Sequence, residues 1–561
     1  FVLEELDGFG KKRLPSCGSQ QLSVGVIENI RTNMSNQKPS KLLFWGCFIA
    51  LITTAFGFIT RMFLLDDPAI TQGLLGLDDA EVGIFKGIQI WPFAVSIILF
   101  SLIIDKVGYK FAMIFAGASQ ITWAVMGIYG LNVAAENPEL AKSLIFWGGL
   151  ILALGNGTVE AFINPVVATL YDKEKTKWLN ILHAGWPGGL VIAGVLVILM
   201  GDASWQMKLG LIVIPAVLYI AILIGQKFPV QERVASGVTY REMLSEFGFL
   251  GAAVVSFLVV LQLDQFFPGH MTIWIILGVV MALSMGIYTR SLGRPIMFIL
   301  ILIMAPLATT EIGTDGWIAG IMASVVSFHG GWILVYTSVI MMVLRFFAGP
   351  IVQKLSPLGL LIASAVLAIA GLLALSGANG VALIFGAATL YALGKTFFWP
   401  TMLGIVSEQT PKGGALTLNS VSGIGMLAVG VLGFPYIGAL QEQKVVQEVA
   451  KVDAVASIDG FVKDGKISDE YLVQNSIYYG TIKYPTLKAE KVDEMVKAAP
   501  ADQQAGMTEA IEKAKEGSAQ KALANMAVFP AIMLIAYIGL FLYFRSRGGY
   551  KPVDLTVGGG E

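Results

Sequence analysis

Long apolar runs alternate with short polar segments along nearly the whole chain, from about residue 42 to residue 545. A helix that crosses the hydrocarbon core of a bilayer needs about 20 mostly apolar residues, so each run predicts a membrane span. The first six predicted spans lie at about 42–64, 82–104, 111–130, 143–170, 178–200 and 207–225. Two more, at about 246–263 and 271–289, predict an extra hairpin. Six further spans follow, at about 296–320, 325–350, 357–376, 379–406, 413–437 and 523–545.

The predicted order of six, two and six spans gives an all-α polytopic protein with about fourteen transmembrane helices. Both halves place a basic turn after their second span, DKVGYK and QKLSP, a repetition that is typical of a transporter built from two related bundles. The predicted segments are a cytoplasmic leader (1–41), a six-helix bundle (42–226), a linker with the extra hairpin (227–293), the first five helices of a second bundle (294–437), an extracytoplasmic insert (438–521), the last span (522–547) and a cytoplasmic tail (548–561).

The insert is polar, and its apolar residues, such as Val445, Val449 and Val452, recur at helical spacing. This pattern predicts a small, mostly helical cap outside the membrane.

Composition supports a membrane protein, because 55% of the residues are hydrophobic and only 14% are charged, whereas about a quarter are charged in a soluble domain. Basic residues collect in particular loops, and this asymmetry predicts that both termini are cytoplasmic. The basic leader lacks an apolar core, so we do not expect a cleavable signal peptide. Cys17 and Cys47 stand in no metal-binding or disulfide motif, so no cofactor is predicted. A net charge of -1 does not favour nucleic-acid binding.

One predicted span carries an acid near its centre. In GNGTVEAFINP, Asn156, Glu160 and Asn164 fall at i, i+4 and i+8, so they project from one face of a helix. An ionisable residue inside a span costs about 3 kcal/mol and is rarely kept without a partner or a task. We interpret Glu160 as a proton-coupling residue, Asn156 and Asn164 as substrate ligands, and Arg61 as a candidate charge partner. The alternative is that Glu160 pairs with a basic residue only to fix helix packing.

The following span adds polar groups in LNILHAGWPGG. Asn180, His183 and Pro187 share one helical face, and Trp186 lies beside them. We predict that Asn180, His183 and Trp186 bind substrate.

In the second half, ATTEIGTDGW places Glu311 and Asp315 one helical turn apart. The nearby Gly313 and Gly316 predict a broken helix, which in transporters tends to line the cavity. We predict that both acids bind substrate; the alternative is that they mark the water-exposed end of the helix. Trp317 would then close over a ligand or lie at the membrane interface.

A later stripe, Tyr391, Lys395 and Trp399, has the same i, i+4, i+8 spacing. Lys395 is a candidate partner for Glu311 or Asp315, and otherwise neutralises a local acid or binds substrate. An indole such as Trp399 beside hydrogen-bonding groups suits a sugar. Asn419 in the next span adds polar lining, although Asn also joins helices.

The segment SLIIDKVGYK resembles the loop signature of the major facilitator superfamily in Asp105, Lys106, Gly108 and Lys110, with Ser101 where the family usually has Gly. A second copy, RFFAGPIVQKLSP, keeps Arg345, Gly349 and Lys354 but has Gln353 for the Asp. In that family the signature belongs to a conformational gate. The resemblance therefore implies a gating role for Asp105, and Arg345 is a second gating candidate.

VEAFINP followed by LNILHAGWPGG is similar to the fucose permease branch of the superfamily, a group of sugar:proton symporters. In that branch the acid is implicated in proton coupling and sugar binding, which by resemblance falls on Glu160. The branch also has an Asp in its first span, where this chain has Arg61.

These features predict a secondary active transporter for a small polar solute, with a sugar or related compound favoured, in the plasma membrane and more specifically a bacterial inner membrane. Its expected partners are the solute, a proton or sodium ion, and the bilayer. One alternative is a passive facilitator of the same fold. Another is a membrane-anchored assembly subunit whose insert binds a protein partner. No P-loop or nucleophile elbow occurs, so we do not expect an enzyme.

Overall fold

The computed structural model of the chain describes residues 40–77, 79–316, 331–456, 458, 460–477 and 480–555. Residues 1–39 of the predicted leader, residues 556–561 of the predicted tail and residues 317–330 lie outside the described residues. Among the residues described, thirteen helices are long and apolar enough to cross a membrane, and a pair bent by 69° makes a fourteenth. The prediction of an all-α polytopic protein with about fourteen spans is confirmed.

We number the spans 1 to 14 in chain order. They are Lys41–Leu65, Ile84–Val107, Tyr109–Val133, Pro138–Leu170, Asp172–Leu199, Trp205–Leu223, Tyr240–Phe266, Met271–Thr289, Pro295–Gly316, the bent pair Gly331–Phe346 with Ala348–Leu355, Pro357–Gly377, Val381–Gln409, Pro411–Val449 and Ala501–Ser546. We name spans 1 to 6 the first bundle and spans 9 to 14 the second bundle.

Several spans are interrupted, so that two helices share one crossing. The pairs are Asp79–Gly87 with Trp91–Val107 in span 2, Lys175–Leu182 with Gly185–Leu199 in span 5, Trp205–Gly210 with Val213–Leu223 in span 6, Val381–Lys395 with Phe398–Gln409 in span 12, and Ala501–Met526 with Val528–Ser546 in span 14. Pro92 lies in the first turn of the second helix of span 2, and Pro400 in that of span 12. The missing backbone N–H of a proline costs little at this position.

Spans 9 and 13 contain wider π-helical turns instead. Span 9 runs through Pro295–Ala308 and the turn Thr309–Gly313. Span 13 begins with Gly414–Ala428, passes through the turn Val429–Gly433 and ends with Phe434–Val449. Irregular backbone at membrane depth is tolerated where it is buried in protein or lines a cavity, so these breaks indicate where a cavity lies.

Glycines let the helices within each bundle approach closely. A Cβ at Gly157 of span 4 would lie 2.2 Å from the Phe93 carbonyl oxygen of span 2. A Cβ at Gly371 of span 11 would lie 2.4 Å from Tyr391 Cα of span 12. Lipid tails are as apolar as Leu, so membrane helices associate largely through such close packing.

Spans 7 and 8 form the extra hairpin. The most apolar stretch of span 8 is only 11% buried, so nearly all of this helix is exposed on the protein surface. The backbone N–H groups of Phe249 and Leu250 donate to the carbonyls of Ser291 and Leu292, at 2.9 and 3.0 Å. Gly248 has a φ of +60°, and this kink lets the loop after span 8 lie directly against span 7.

The segment between spans 13 and 14 contains strands that the helical spacing did not predict. β1 (Val462–Lys463) pairs with β2 (Lys466–Ile467), and β3 (Leu472–Ile477) pairs with β4 (Ile482–Leu487), both antiparallel. The helices Asp453–Ala456 and Ala489–Ala498 flank the strands. Together with the adjoining ends of spans 13 and 14, the segment forms a separate apolar core of residues such as Val446, Val449, Phe461, Met495 and Met507.

Several loops meet on one side of the molecule, which we name the basic face after Lys106, Lys173, Lys177, Lys227, Arg233, Arg241, Lys412 and Lys551. Arg233, in the linker between spans 6 and 7, forms an ion pair with Asp105. Glu232 forms an ion pair with Lys175 at 2.5 Å. Gln231 Oε1 accepts a hydrogen bond from the backbone N–H of Ala415 at 3.3 Å. This linker therefore contacts loops of both bundles.

Glu408, at the basic-face end of span 12, adds a second tie between the bundles. Its carboxylate accepts hydrogen bonds from the backbone N–H and the hydroxyl of Thr176, at 3.1 and 2.5 Å. The tail joins this cluster, because the Tyr550 hydroxyl donates to Glu408 at 2.7 Å. Burial, together with the nearby Glu408 carboxylate, raises the pKa of Tyr550 well above its usual range, so the hydroxyl keeps its proton. The two bundles are thus joined at the basic face.

Candidate functional site

A cavity lies at the centre of the molecule, between the two bundles, where spans 2, 5, 9 and 12 are irregular. Its lining comes from both halves of the chain: Thr54, Phe58, Gln89, Phe93, Asn156, Glu160, His183, Trp186, Glu311, Ile312, Arg345, Trp399 and Met426. Six of the predicted substrate or proton residues are therefore brought together, namely Asn156, Glu160, His183, Trp186, Glu311 and Trp399.

Glu160 is the centre of a buried polar cluster on the first bundle. Asn164 Nδ2 donates to Glu160 Oε2 at 2.7 Å, as the i, i+4 spacing predicts. His183 Nε2 lies 3.0 Å from Asn164 Oδ1 and 4.0 Å from Glu160 Oε2. Asn156, two turns from Asn164, accepts from Gln120 at 3.0 Å. Within the described part of the chain, no Lys or Arg forms an ion pair with Glu160.

Arg345 and Glu311 form the corresponding cluster on the second bundle. Arg345 Nη2 donates to Glu311 Oε1 at 2.7 Å. The same guanidinium donates to the carbonyls of His183 and Thr396, at 2.8 and 2.6 Å. Both carbonyls belong to residues at helix breaks, where carbonyl groups lack their usual intrahelical partner. Trp399 is near the start of its helix, and its free backbone N–H donates to Glu311 Oε2 at 3.1 Å.

Arg345 lies away from the loop of its motif, and its gating role stays a prediction. The resemblance placed this residue in the motif of a loop, but its side chain is only 1% exposed and lines the central cavity. The connection to span 11 lies beyond the bend of span 10, at Ser356. The bend separates the two parts of the motif, so Arg345 remains at the depth of Glu311.

Lys395 and Asp315 form a second buried ion pair, and neither side chain lines the cavity. The structure thus selects Asp315 rather than Glu311 as the partner of Lys395. The ammonium group also lies 5.3 Å from the centre of the Tyr391 ring, within range of a cation–π interaction.

Asn180 and Asn419 join the two bundles and do not line the cavity. Asn180 Nδ2 donates to Thr401 Oγ1 at 3.2 Å. Asn419 Nδ2 donates to the Ala161 carbonyl and to Ser101 Oγ, each at 3.0 Å, and its Oδ1 accepts from Asn164 at 3.2 Å. The Thr176–Glu408 contact lies nearer the basic face than these hydrogen bonds do. The hydrogen bonds therefore lie between the cavity and the basic face.

Arg61 contacts neither Glu160 nor any other carboxylate among the residues that the structure describes. Its guanidinium donates to Gln89 Oε1 at 3.0 Å and to the Phe85 carbonyl. The expected charge partnership with Glu160 is therefore not formed in this structure.

Sequence reasoning missed Thr54, Phe58, Gln89, Phe93, Ile312 and Met426 as lining residues. A polar residue in an apolar run was a usable signal for Gln89. The apolar residues gave no such signal, because a core residue and a cavity residue have the same spacing.

Trp317 lies outside the described residues. Over the described ranges, no three His, Cys, Asp or Glu side chains come together as metal ligands.

Comparison with known proteins identifies the fold. No family model and no curated protein sequence matches the chain. Among solved structures, the chain is similar to the major facilitator superfamily proton:xylose symporter XylE of E. coli bound to 6-bromo-6-deoxy-D-glucose, with a TM-score of 0.52, 14% identity, and coverage of 72% of this chain and 90% of that one. It is also similar to the human organic anion transporter MFSD10, with a TM-score of 0.50, 11% identity, and coverage of 89% and 100%.

A third similar structure is the E. coli fucose:proton symporter FucP, with a TM-score of 0.45, 17% identity, and coverage of 70% of this chain and 90% of that one. Taken together, the spans and the comparisons with XylE and MFSD10 show that this multi-pass membrane protein has the fold of the major facilitator superfamily.

Proposed function

We propose that the protein is a secondary active transporter, which carries a small polar solute across the plasma membrane by alternating access and couples that movement to protons. The observation that carries the proposal is the central cavity, where Glu160 is buried beside Asn164 and His183 and no Lys or Arg among the described residues forms an ion pair with it. A buried carboxylate without a Lys or Arg beside it is costly in its charged form. We therefore expect the solute to enter the cavity together with a proton on Glu160.

The cavity chemistry suits a hydroxylated solute. Trp186 and Trp399 offer indole faces, and Asn156, Glu160 and His183 offer hydrogen-bonding groups. As a fold-level analogy, XylE is a proton:xylose symporter and MFSD10 is an organic anion transporter. Sugars, sugar acids and other small polar compounds are therefore the first solutes to test.

We assign the basic face to the cytoplasm, because short loops rich in Lys and Arg remain on that side of a membrane. The insert then lies outside and the tail inside. The hydrogen bonds between the bundles lie on the cytoplasmic side of the cavity, so the described conformation is closed toward the cytoplasm. A bacterial inner membrane fits this assignment.

Energetically, one proton suffices to drive accumulation. Moving one charge inward across about 100 mV releases about 2.3 kcal/mol, which corresponds to about fifty-fold accumulation. The test is uptake of labelled hexoses, deoxyhexoses and small organic acids by liposomes that contain the purified chain. Uphill uptake that a proton gradient drives and an uncoupler abolishes supports symport. Uptake that only equilibrates and ignores the uncoupler supports a facilitator and contradicts the proposal.

Asp105→Asn is expected to slow turnover while leaving solute affinity within a few fold. The change removes the ionic partner of Arg233, so the linker holds the cytoplasmic side less firmly and the equilibrium between conformations shifts. Arg233→Gln should give the same phenotype, and the double variant should be no worse than either single one, because both changes break one contact. Initial uptake rates and cysteine accessibility on each face measure these effects. A large loss of affinity with unchanged accessibility would contradict the gating role.

Replacing residues 442–518 with a short Gly/Ser linker is expected to spare transport. The described residues of that segment do not line the cavity, and it has a separate apolar core. The replacement keeps Gln520, whose amide donates to the carbonyls of Leu375 and Ala378 at the end of span 11, at 2.9 and 2.7 Å. Uptake by the replaced and intact chains, matched for inserted protein, is the measurement. Loss of uptake in correctly inserted protein would show that the insert delivers solute or gates the cavity.

A further inference from the structure

Arg61 is a buried cation without a carboxylate partner among the residues that the structure describes. The residue is 0% exposed, and its two acceptors, Gln89 Oε1 and the Phe85 carbonyl, are neutral. Its Nε has no hydrogen-bond partner among the described residues, and no ion pair between those residues includes it. An unpaired charge out of water is expensive, so a cation kept in this position calls for a negative charge from another source.

The other charges around the cavity cannot supply it. Arg345 is paired with Glu311, and Lys395 is paired with Asp315. This leaves Glu160, which hydrogen-bonds Asn164 and faces His183 of span 5, with Arg345 and its partner Glu311 across the cavity. When Glu160 is protonated, the three cations Arg61, Arg345 and Lys395 are matched by two carboxylates. The proton-loaded site then has one positive charge in excess.

Gln89 connects that excess charge with the cavity. Its side chain lines the cavity, and its Oε1 is fixed by the bond to Arg61. The amide nitrogen of Gln89 is consequently turned away from Arg61, and it has no acceptor among the described residues. The two N–H donors of this amide are therefore buried and unpaired among the described residues, beside a guanidinium, and a carboxylate oxygen is a strong acceptor for such donors.

We propose that the solute is a small monocarboxylate with hydroxyl groups, of the sugar-acid class, and that Gln89, with Arg61 behind it, forms its carboxylate subsite. The proposal rests on the proposed proton-coupled transport. The carboxylate accepts from the Gln89 amide and offsets the charge of Arg61, while the hydroxyl groups face Glu160, Asn156 and the indoles. A neutral sugar would leave the proton-loaded site with one positive charge in excess, and a dianion would give it one negative charge in excess.

This assignment changes how the transporter responds to membrane voltage. One monoanion and one proton together carry no net charge, so a pH gradient drives uptake and a membrane potential does not. A neutral sugar with one proton carries one positive charge in each cycle, so its uptake responds to both.

The experiment uses the full chain in liposomes with matched solute pairs, D-glucuronate with D-glucose and D-galacturonate with D-galactose. Each pair differs in having a carboxylate or a hydroxymethyl group. Uptake is driven by a pH gradient or by a potassium diffusion potential with valinomycin, and binding is measured separately by thermal shift. We expect the acids, and not the hexoses, to bind and to accumulate on the pH gradient, with no response to the potential.

Three variants locate the subsite. Arg61→Gln removes the charge, and Gln89→Glu supplies a carboxylate from the protein itself, so each should weaken acid binding at least about tenfold. Gln89→Glu gives Arg61 a partner, so it tests the proposal even if Arg61→Gln does not fold. Arg294→Gln is the control. Arg294 lies away from the cavity and forms an ion pair with Glu246 at 3.4 Å, so this variant should bind the acids normally.

The outcomes separate this inference from the proposed function. Potential-dependent uptake of a hexose supports proton symport and overturns the anionic subsite. Acid binding that Gln89→Glu leaves unchanged overturns the subsite, and so does failure of both acids to bind. Acid binding that is lost in Gln89→Glu, without flux of any of the four compounds, supports the subsite and counts against transport.

Discussion

Glu160→Gln is expected to abolish uphill accumulation of solute while preserving solute binding and the exchange of internal for external solute. Glutamine resembles the protonated acid in shape and charge, and its carboxamide oxygen still accepts from Asn164, which now donates to Glu160 at 2.7 Å. The cavity therefore keeps its hydrogen bonds but cannot release a proton. Proton-driven uptake and counterflow, measured side by side in liposomes, test the prediction.

The matched control for this variant is Glu246→Gln, which removes a carboxylate that is paired with Arg294 outside the cavity. We expect its accumulation to equal that of the unchanged chain. Full uphill transport by Glu160→Gln would remove Glu160 from the coupling mechanism. Loss of folded protein, together with loss of both uptake and exchange, would assign it to helix packing instead.

Asp315→Asn should have the largest effect on stability. Lys395 is fully buried, and Asp315 is its ion-pair partner. Removing one member of a buried ion pair leaves the other charge uncompensated, at a cost of about 3–5 kcal/mol. Marginally stable proteins lose much of their folded population at such a cost. Monodisperse yield in detergent and the apparent Tm are the measurements.

The double variant Asp315→Asn with Lys395→Met removes both charges and should recover most of the folded yield. Because neither side chain lines the cavity, the double variant should also bind solute nearly as well as the unchanged chain. Recovered folding with lost solute binding would show that Asp315 and Lys395 bind substrate. No recovery of folded yield would mean that Asp315 stabilises the fold by more than its ion pair with Lys395.

The membrane fold could be predicted because apolar run length is a local property of the sequence. The helical spacing also placed Glu160 and Asn164 correctly in contact, because residues four apart on a helix are neighbours. Partnerships across the fold were harder. Arg345 meets Glu311 from a different span, and only the three-dimensional packing brings them together.

Helix breaks explain most of the remaining differences. The sequence pattern treated residues 178–200 as one helix, but the chain breaks between Leu182 and Gly185 and frees the carbonyl of His183 for Arg345. In the insert, alternating residues such as Leu472–Ile477 carried a strand signal. Its overall Lys, Glu and Ala content favoured helix and concealed that signal.

Span 14 belongs to one helical rod of 46 residues, Ala501–Ser546, interrupted only at Ala527. At 1.5 Å per residue the rod is about 69 Å long, more than twice the hydrocarbon thickness of about 30 Å. The half of the rod that extends beyond the hydrocarbon core therefore forms a long arm fixed to the second bundle. Any tilt of that bundle is magnified at the far end of the arm, so a fluorophore pair on the insert and the first bundle would report the transport cycle from outside the membrane.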